Sequence, residues 1–475
     1  MSRHFPFATL TLALSLSASA WGQWSTDPQK NTPVANVPGA AQVQPQIAAT
    51  ADGHWWISWF SLIPQGSAPQ GYDVFLQRLG PDGSERYPHQ GLQIANLGVG
   101  WTEDYGLATD PQGNAVLTFQ DDRAHPPARA IAATKIDPAG QPLWQTLTAP
   151  SGHAPHVSIL PDGHSVIGWS TDTENSVRLR KLDPLGQPVW KSADGAALDF
   201  VLVEPGYSYR LADLQTTGDG SVIVSFIRNR GISGAKHLYA NKISPSGQLL
   251  WGPAHVKIFD AGSLQQGNFP HFVLDGQGGA VFAWYSIDPQ IQVYAQHIQA
   301  NGSPAFAANG VPVSTNLQQA RTSPSLTYQP STGEITLFWT ELDSALEQHR
   351  RGLYAQKFDA RGARQWGETG RTVLPLARHD IAHLHSVAVT DGTLAFWVQS
   401  SAGGHDTIQA IKLDATGAAR CPQFAVSTRP SAKSRLVSGA SASGQTLIAW
   451  EDQAQNQGAD IYLQSVSADC RLGAR

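Results

Sequence analysis

Residues 54–59 read His-Trp-Trp-Ile-Ser-Trp, and residues 446–450 read Thr-Leu-Ile-Ala-Trp. Apolar runs of this kind, each closing on an aromatic residue, occur eight times between Ala41 and Arg475. The closing aromatics lie 50 to 60 residues apart and are Trp59, Phe119, Trp169, Phe226, Trp284, Trp339, Trp397 and Trp450. A repeat of four short strands at this spacing predicts an all-β fold, an eight-bladed β-propeller of four-stranded blades.

The repeats extend to the end of the chain, but the last one lacks a fourth strand. We place them at about 41–96, 100–150, 151–200, 206–260, 265–316, 320–376, 378–430 and 431–475. An additional segment at 23–36 resembles the fourth-strand region at 309–314, so we expect the N-terminal strand to complete the last blade and close the ring. No linker interrupts the repeats, which predicts a single propeller domain over 21–475.

In several repeats a Trp lies four residues after the Gly of the turn that follows the third strand. The pairs are Gly140 and Trp144, Gly186 and Trp190, Gly247 and Trp251, and Gly362 and Trp366. This pattern resembles the tryptophan-docking repeat of the eight-bladed quinoprotein dehydrogenases and of the related outer-membrane assembly lipoprotein. The resemblance covers only these short stretches, and the spacing from Asp137 to Gly140 is one residue shorter than in that family. It implies the architecture and says little about activity.

The first residues have the features of an export signal. Arg3 supplies a positive charge, residues 5–16 are apolar, and Ala18-Ser19-Ala20 is a small-residue cleavage site. We predict a signal peptide at 1–20, with cleavage before Gln23 as the alternative, and a secreted or periplasmic protein. No later apolar run approaches the roughly 18 residues of a membrane-spanning helix.

Composition and cysteine usage narrow the possible partners. The formal net charge is -5 without a basic run, which argues against nucleic-acid binding. Cys421 and Cys470 fall in the last two repeats, and Cys470 aligns with the turn Gly of other repeats. We expect them to form a disulfide, two unpaired thiols being the alternative. We expect a monomer without a cofactor.

Polar residues at the start of the innermost strands are the first candidate site. Each immediately precedes a position that is apolar in nearly every repeat, and the eight are Gln46, Gly106, His156, Arg210, His271, Ser325, His385 and Arg435. We expect them to form a ring at one mouth of the central channel. Three His and two Arg would make it electropositive, which predicts an anion site for uronate or sulfate groups at His156, Arg210, His271, His385 and Arg435. The alternative is that these side chains only hydrate the channel mouth.

Two further hypotheses concern catalysis and metal binding. A polysaccharide lyase acting on uronates needs a group that neutralises the carboxylate and a base that removes a proton, and His156, Tyr209 and Arg210 would supply them. His383 and His385 are weak zinc candidates that would project to the same side of a strand, but no second motif supplies the missing ligands, so no metal is expected.

The sequence therefore predicts an exported propeller that binds an acidic glycan or a protein partner on its loop-rich face. A propeller polysaccharide lyase or other carbohydrate-active enzyme is one alternative, and a scaffold in envelope assembly is another. The residues do not decide whether the protein is an enzyme.

Overall fold

Eight antiparallel sheets form the structure, a computed structural model that describes residues 24–62, 71–97, 102–123, 129–231, 233–344, 348–401, 404–454 and 458–473. Each sheet is one blade of a ring, as predicted. The predicted signal peptide and Gln23 lie outside the described residues. Within those residues, no helix is long and apolar enough to cross a membrane.

The strands follow one another blade by blade. In chain order they are β1 (Thr32–Ala35); β2 (Ala41–Ala49), β3 (Trp55–Leu62), β4 (Asp73–Leu79) and β5 (Leu92–Ala95) in blade 1; β6 (Gly106–Thr109), β7 (Ala115–Asp121), β8 (Ala130–Ile136) and β9 (Pro142–Ala149) in blade 2; β10 (His153–Ile159), β11 (Ser165–Thr171), β12 (Ser176–Leu182) and β13 (Phe200–Leu202) in blade 3; β14 (Ser208–Thr216), β15 (Val222–Asn229), β16 (His237–Ile243) and β17 (Val256–Phe259) in blade 4; β18 (Ser263–Leu264), β19 (Phe272–Leu274), β20 (Ala280–Asp288), β21 (Gln292–Ile298) and β22 (Val311–Pro312) in blade 5; β23 (Ala320–Gln329), β24 (Glu334–Leu342), β25 (Arg351–Phe358) and β26 (Arg371–Ala377) in blade 6; β27 (His379–Val389), β28 (Gly392–Ser401), β29 (Thr407–Leu413) and β30 (Ala419–Ser427) in blade 7; and β31 (Ala432–Ala440), β32 (Thr446–Gln453) and β33 (Asp460–Val466) in blade 8.

The N-terminal strand closes the ring, as the sequence predicts. The last sheet has the order β1-β33-β32-β31, with Thr32 paired to Leu463. The buried Asn31 amide donates to the Val426 carbonyl and to the Gln464 side chain, both at 3.0 Å, and therefore ties β1 to blades 7 and 8. Closure therefore gives β33 a hydrogen-bonded partner on its outer side and joins the two ends of the described chain.

The core lies between neighbouring blades because the second strand of each blade is apolar on both faces. β11 is buried along its whole length, and Trp169 and Trp450 are fully buried. Between blades 3 and 4, Val166 and Leu179 pack against Leu211 and neighbouring apolar side chains. Each fully buried side chain of this size contributes about 1.5–3 kcal/mol.

Neighbouring blades are also joined by an aromatic ring that packs on the turn Gly of the next blade. A Cβ on that Gly would lie within 4 Å of the ring, and the pairs are Trp24 with Gly83, Tyr87 with Gly140, Trp144 with Gly186, Trp190 with Gly247, Trp251 with Gly302, Phe306 with Gly362 and Trp366 with Gly417. The indole N–H of Trp144 also donates to the Pro184 carbonyl at 3.1 Å. We call these contacts aromatic–glycine docking.

The eighth junction, between blades 7 and 8, carries a disulfide instead. Cys421 lies four residues after Gly417, where other blades carry the docking aromatic. Cys470 has φ 61° and takes the place of the turn Gly, as its alignment predicts. The two are bonded, with their Cα atoms 6.4 Å apart. A covalent bond therefore replaces docking at one junction.

Candidate functional site

The two edges of the ring differ in the loops that they carry. The inner strands begin, and the second strands end, at one edge, which we call the loop edge. The short Asp-x-x-Gly turns lie at the opposite edge, the turn edge. The candidate residues on the inner strands therefore lie toward the loop edge of the central channel.

Six of the eight predicted ring residues occupy equivalent positions. Each lies opposite the residue that precedes the closing aromatic of the second strand: His156 pairs with Gly168, and His385 pairs with Phe396. The other pairings that place residues in this way are Gln46 with Ser58, Gly106 with Thr118, and Ser325 with Phe338. His271 directly precedes Phe272, which pairs with Phe282, and so falls at the same level.

The two arginines do not belong to this ring, which corrects the sequence prediction. In blade 4 the equivalent residue is Asp213, paired with Ser225, whereas Arg210 lies opposite Ile227, beyond a bulge. In blade 8 the equivalent residue is Val437, which pairs with Ala449. Arg435 lies within the bulge itself, with φ 49°. The ring therefore carries three His and one Asp, and Arg210 and Arg435 lie at other positions of their strands.

The register error has a physical cause. Both Arg210-Leu211 and Asp213-Leu214 are polar residues followed by apolar ones, so the pattern alone fits either pair. A bulge adds a residue to one strand of a pair and shifts every later side chain, and hydropathy does not reveal where it falls. Asp213 is thus the site residue that the sequence did not identify.

Asp213 lies between two of the histidines. His156 Nδ1 is 3.8 Å from Asp213 Oδ1, and His271 Nδ1 is 3.6 Å from Asp213 Oδ2. The centroids of the two imidazole rings are 6.3 Å apart. The carboxylate also accepts the backbone N–H of Leu214 at 2.8 Å and that of Phe272 at 3.1 Å, which fixes its position. His156, Asp213, His271 and His385 are called the channel cluster below.

The pKa values of the channel cluster are shifted in different directions. Burial would raise the pKa of Asp213, but contacts with His156 and His271 outweigh it and hold that pKa well below its usual range. The contact with Asp213 raises the pKa of His271. Burial, together with the charges of His271 and His383, lowers the pKa of His385 to about 4. Near neutral pH the cluster therefore has an ionised carboxylate, a readily protonated imidazole and a neutral imidazole.

A cavity of about 520 Å³ opens beside the channel cluster. We call it the blade 5–6 cavity, because its lining comes mainly from those blades and includes His271, His385, Gln265, Asn268, Tyr285 and Ser325. The His271 side chain is 75% exposed. A ligand in the cavity can therefore contact an imidazole whose charge Asp213 favours.

The three residues proposed for a lyase each contact a different carboxylate, and His156 contacts Asp213. Tyr209 is 1% exposed, stacks on Phe226 and donates its hydroxyl to Glu204 at 3.0 Å. Burial and the bond to Glu204 raise its pKa to about 12. Arg210 instead binds Asp172 at 2.6 Å, and His153 Nε2 lies 3.4 Å from the same carboxylate. Tyr209 is too buried to reach a substrate.

The weak metal hypothesis assumed a regular strand at His383 and His385. His383 has φ 51°, and the register of β27 shifts between Ala382 and His385, so simple alternation does not hold there. Among the residues described, no group of three or more His, Cys, Asp or Glu is arranged to hold a metal ion. Burial is the main cause that lowers the pKa of His383, and the charge of Arg435 lowers it further.

Comparisons with known proteins give no family. No protein-family model matches the chain, and no curated protein matches it. The resemblance to the quinoprotein-type repeats therefore stays a prediction, and the class that the structure defines is the eight-bladed β-propeller.

Similar solved structures include three whose similarity is spread over nearly the whole chain. The polysaccharide lyase Uly1 is 10% identical, with a TM-score of 0.47, and 96% of this chain and 94% of that chain are covered. An ulvan lyase of polysaccharide lyase family PL25 is 11% identical, with a TM-score of 0.47, and 93% of this chain and 97% of that chain are covered. The Dos1 propeller is 12% identical, with a TM-score of 0.48, and 92% of this chain and 95% of that chain are covered. At these values the similarity does not bear on activity.

Proposed function

We propose that this protein is an exported propeller that binds an acidic glycan at the loop edge of its channel. The observation that carries the proposal is the contact between Asp213 and His271 beside the blade 5–6 cavity. An imidazolium donates charge-assisted hydrogen bonds to carboxylate or sulfate oxygens. Amides and hydroxyls of Gln265, Asn268 and Ser325 line the same cavity and offer partners for sugar hydroxyls. The disulfide favours an oxidising compartment, in line with export.

A uronate-specific lyase is the second candidate, now with different residues. His271 and His385 line one cavity, and their pKa values are shifted in opposite directions. Pairs of titratable groups whose environments separate their pKa values are typical of acid and base roles. In this version a protonated His271 neutralises the uronate carboxylate, and the neutral His385 accepts the proton alpha to it. A carbon–carbon double bond forms as the bond from the beta carbon to the glycosidic oxygen breaks, and that oxygen takes a proton from water.

The test is titration of the protein with uronate oligosaccharides, with a parallel assay for unsaturated products. We expect His271→Ala to weaken binding about ten- to a hundredfold, because a hydrogen bond to a charged group contributes about 1.5–3 kcal/mol. His164→Ala is the matched control, since His164 contacts Asp162 at the turn edge.

The outcomes separate the two candidates. Binding without product supports the binding protein, whereas product formation that His385→Ala abolishes supports the lyase. Equal affinity of the parent and His271→Ala would contradict both.

A further inference from the structure

A second cavity opens at the loop edge, between blades 2 and 3. Its volume is about 400 Å³, and its lining includes Glu103, Arg129, His153, Asp172 and Thr173. We call it the blade 2–3 cavity. Its residues come from the start of β10, from the ends of β7 and β11 and from the connections beside them. It therefore opens at the same edge as the channel cluster.

The channel cluster lies between the two cavities. His153 lines the blade 2–3 cavity, and His156 lies three residues further along β10, just beyond a shift in register. The His156 ring is in turn 6.3 Å from His271, which lines the blade 5–6 cavity. Side chains of blade 3 and blade 5 therefore lie between the two cavities.

A second connection runs through blade 2. Glu103 lines the blade 2–3 cavity, and its carboxylate accepts the backbone N–H of Ala154 at 3.4 Å. The next residue is Asp104. Asp213 is the main cause that raises the pKa of His271, and the charge of Asp104 raises it further. Two adjacent residues, Glu103 and Asp104, thus lie one at the blade 2–3 cavity and the other near the channel cluster.

The chemistry of the two cavities differs. The blade 2–3 cavity combines the carboxylates of Glu103 and Asp172 with the Arg129 guanidinium and the Thr173 hydroxyl, so two negative groups face one positive group. Such a mixture of donors and acceptors suits neutral sugar hydroxyls. The described residues that line the blade 5–6 cavity include His271 and no Asp or Glu. The acidic unit of a ligand therefore fits the blade 5–6 cavity better.

We propose that the ligand is an extended glycan chain that occupies both cavities and crosses the channel cluster between them. The inference rests on the proposed function and adds that the site recognises several consecutive sugar units. Its acidic unit lies against His271, and hydroxyl-bearing units of the same chain lie in the blade 2–3 cavity. A single sugar unit cannot fill both cavities.

The experiment is calorimetric titration with oligosaccharides of alternating uronate and neutral sugar units, from disaccharide to octasaccharide. In the parent we expect affinity to rise at least tenfold between the disaccharide and the longer oligomers, because the second cavity adds contacts without a second association cost. Thr173→Trp places a large side chain at an exposed position that lines the blade 2–3 cavity. It should remove the gain with length and leave disaccharide affinity unchanged.

The matched control is Ala139→Trp, an exposed position in a turn at the turn edge of blade 2. It should show the length dependence of the parent, and the two Trp variants should unfold at the same temperature. Equal affinity of the parent for disaccharide and hexasaccharide would overturn the inference while leaving the proposed function in place. Unchanged hexasaccharide affinity in Thr173→Trp would do the same. If none of the oligosaccharides binds the parent, the proposed function fails and the inference with it.

Discussion

The turn edge and the loop edge of this propeller are built from the same eight repeats but differ in uniformity. At the turn edge, seven junctions use an aromatic ring on a turn Gly, and the eighth uses a disulfide at the corresponding positions. At the loop edge, the equivalent inner-strand residues range from Gly106 to Asp213 and Val437. The repeat is therefore maintained where blades must pack on one another. Where the residues face the channel, each blade is free to carry its own chemistry.

The largest effect is expected at the closure of the ring. Deleting residues 24–35 removes β1 and the buried Trp24 and leaves the outer edge of β33 unpaired. The loss of a whole strand is comparable with the net stability of about 5–15 kcal/mol that a folded protein has. We expect aggregation or loss of cooperative thermal unfolding, measured by scanning calorimetry and gel filtration. A chain that begins at Trp24 is the control, and equal stability of the deletion variant would refute closure by β1.

A smaller effect tests aromatic–glycine docking with two glycines of blade 3. Gly186 has φ +81°, and a Cβ on it would lie 2.8 Å from the Trp144 ring. Gly195 has φ +85°, and a Cβ on it would meet nothing within 4 Å. Both Ala variants bear the cost of a left-handed residue, about 1–2 kcal/mol. Only Gly186→Ala should add about 1–3 kcal/mol for the steric conflict.

Chemical denaturation of the two variants measures this difference directly. If they unfold at the same denaturant concentration, the ring on the turn Gly does not join the blades. If Gly186→Ala alone is destabilised, the turn edge contributes to stability through docking as well as through turn geometry.

The sequence predicted the turn edge much better than the loop edge. Docking aromatics and turn glycines recur at a fixed spacing because each must meet a neighbouring blade, so their positions can be counted along the chain. Cys470 takes one of the turn-glycine positions and was found by the same count. The placement of Arg210 and Arg435 failed because a bulge shifts the register of an inner strand without changing its hydropathy. His156, Asp213 and His271 lie in three different blades. Their side chains meet only in the folded ring, and no local sequence pattern encodes the distances between them.

The smallest expected effect concerns the protonation of the channel cluster. The raised pKa of His271 gives stability that is complete below its unfolded pKa of about 6.5 and lost as pH rises through the folded value. The lowered pKa of Asp213 gives stability that is present above about pH 3.9 and lost as pH falls. The contact between them therefore stabilises the protein most between about pH 4 and 6.5. Because His271 is 75% exposed, solvent screening keeps the effect on unfolding small, and the pKa itself is the better readout.

Titration of the histidine NMR signals in Asp213→Asn tests this contact. Without the carboxylate, the pKa of His271 should fall toward about 6.5. The pKa of His89, which a hydrogen bond to Glu85 raises on the surface of blade 1, should not change and serves as the internal control. If His271 holds the acidic unit of a glycan, affinity in the parent should decrease as pH rises through the pKa of His271, and the midpoint should move to lower pH in the variant. An unchanged His271 pKa would show that Asp213 does not set the charge of the imidazole, and the loop edge would then lack the electrostatic feature that distinguishes it from the turn edge.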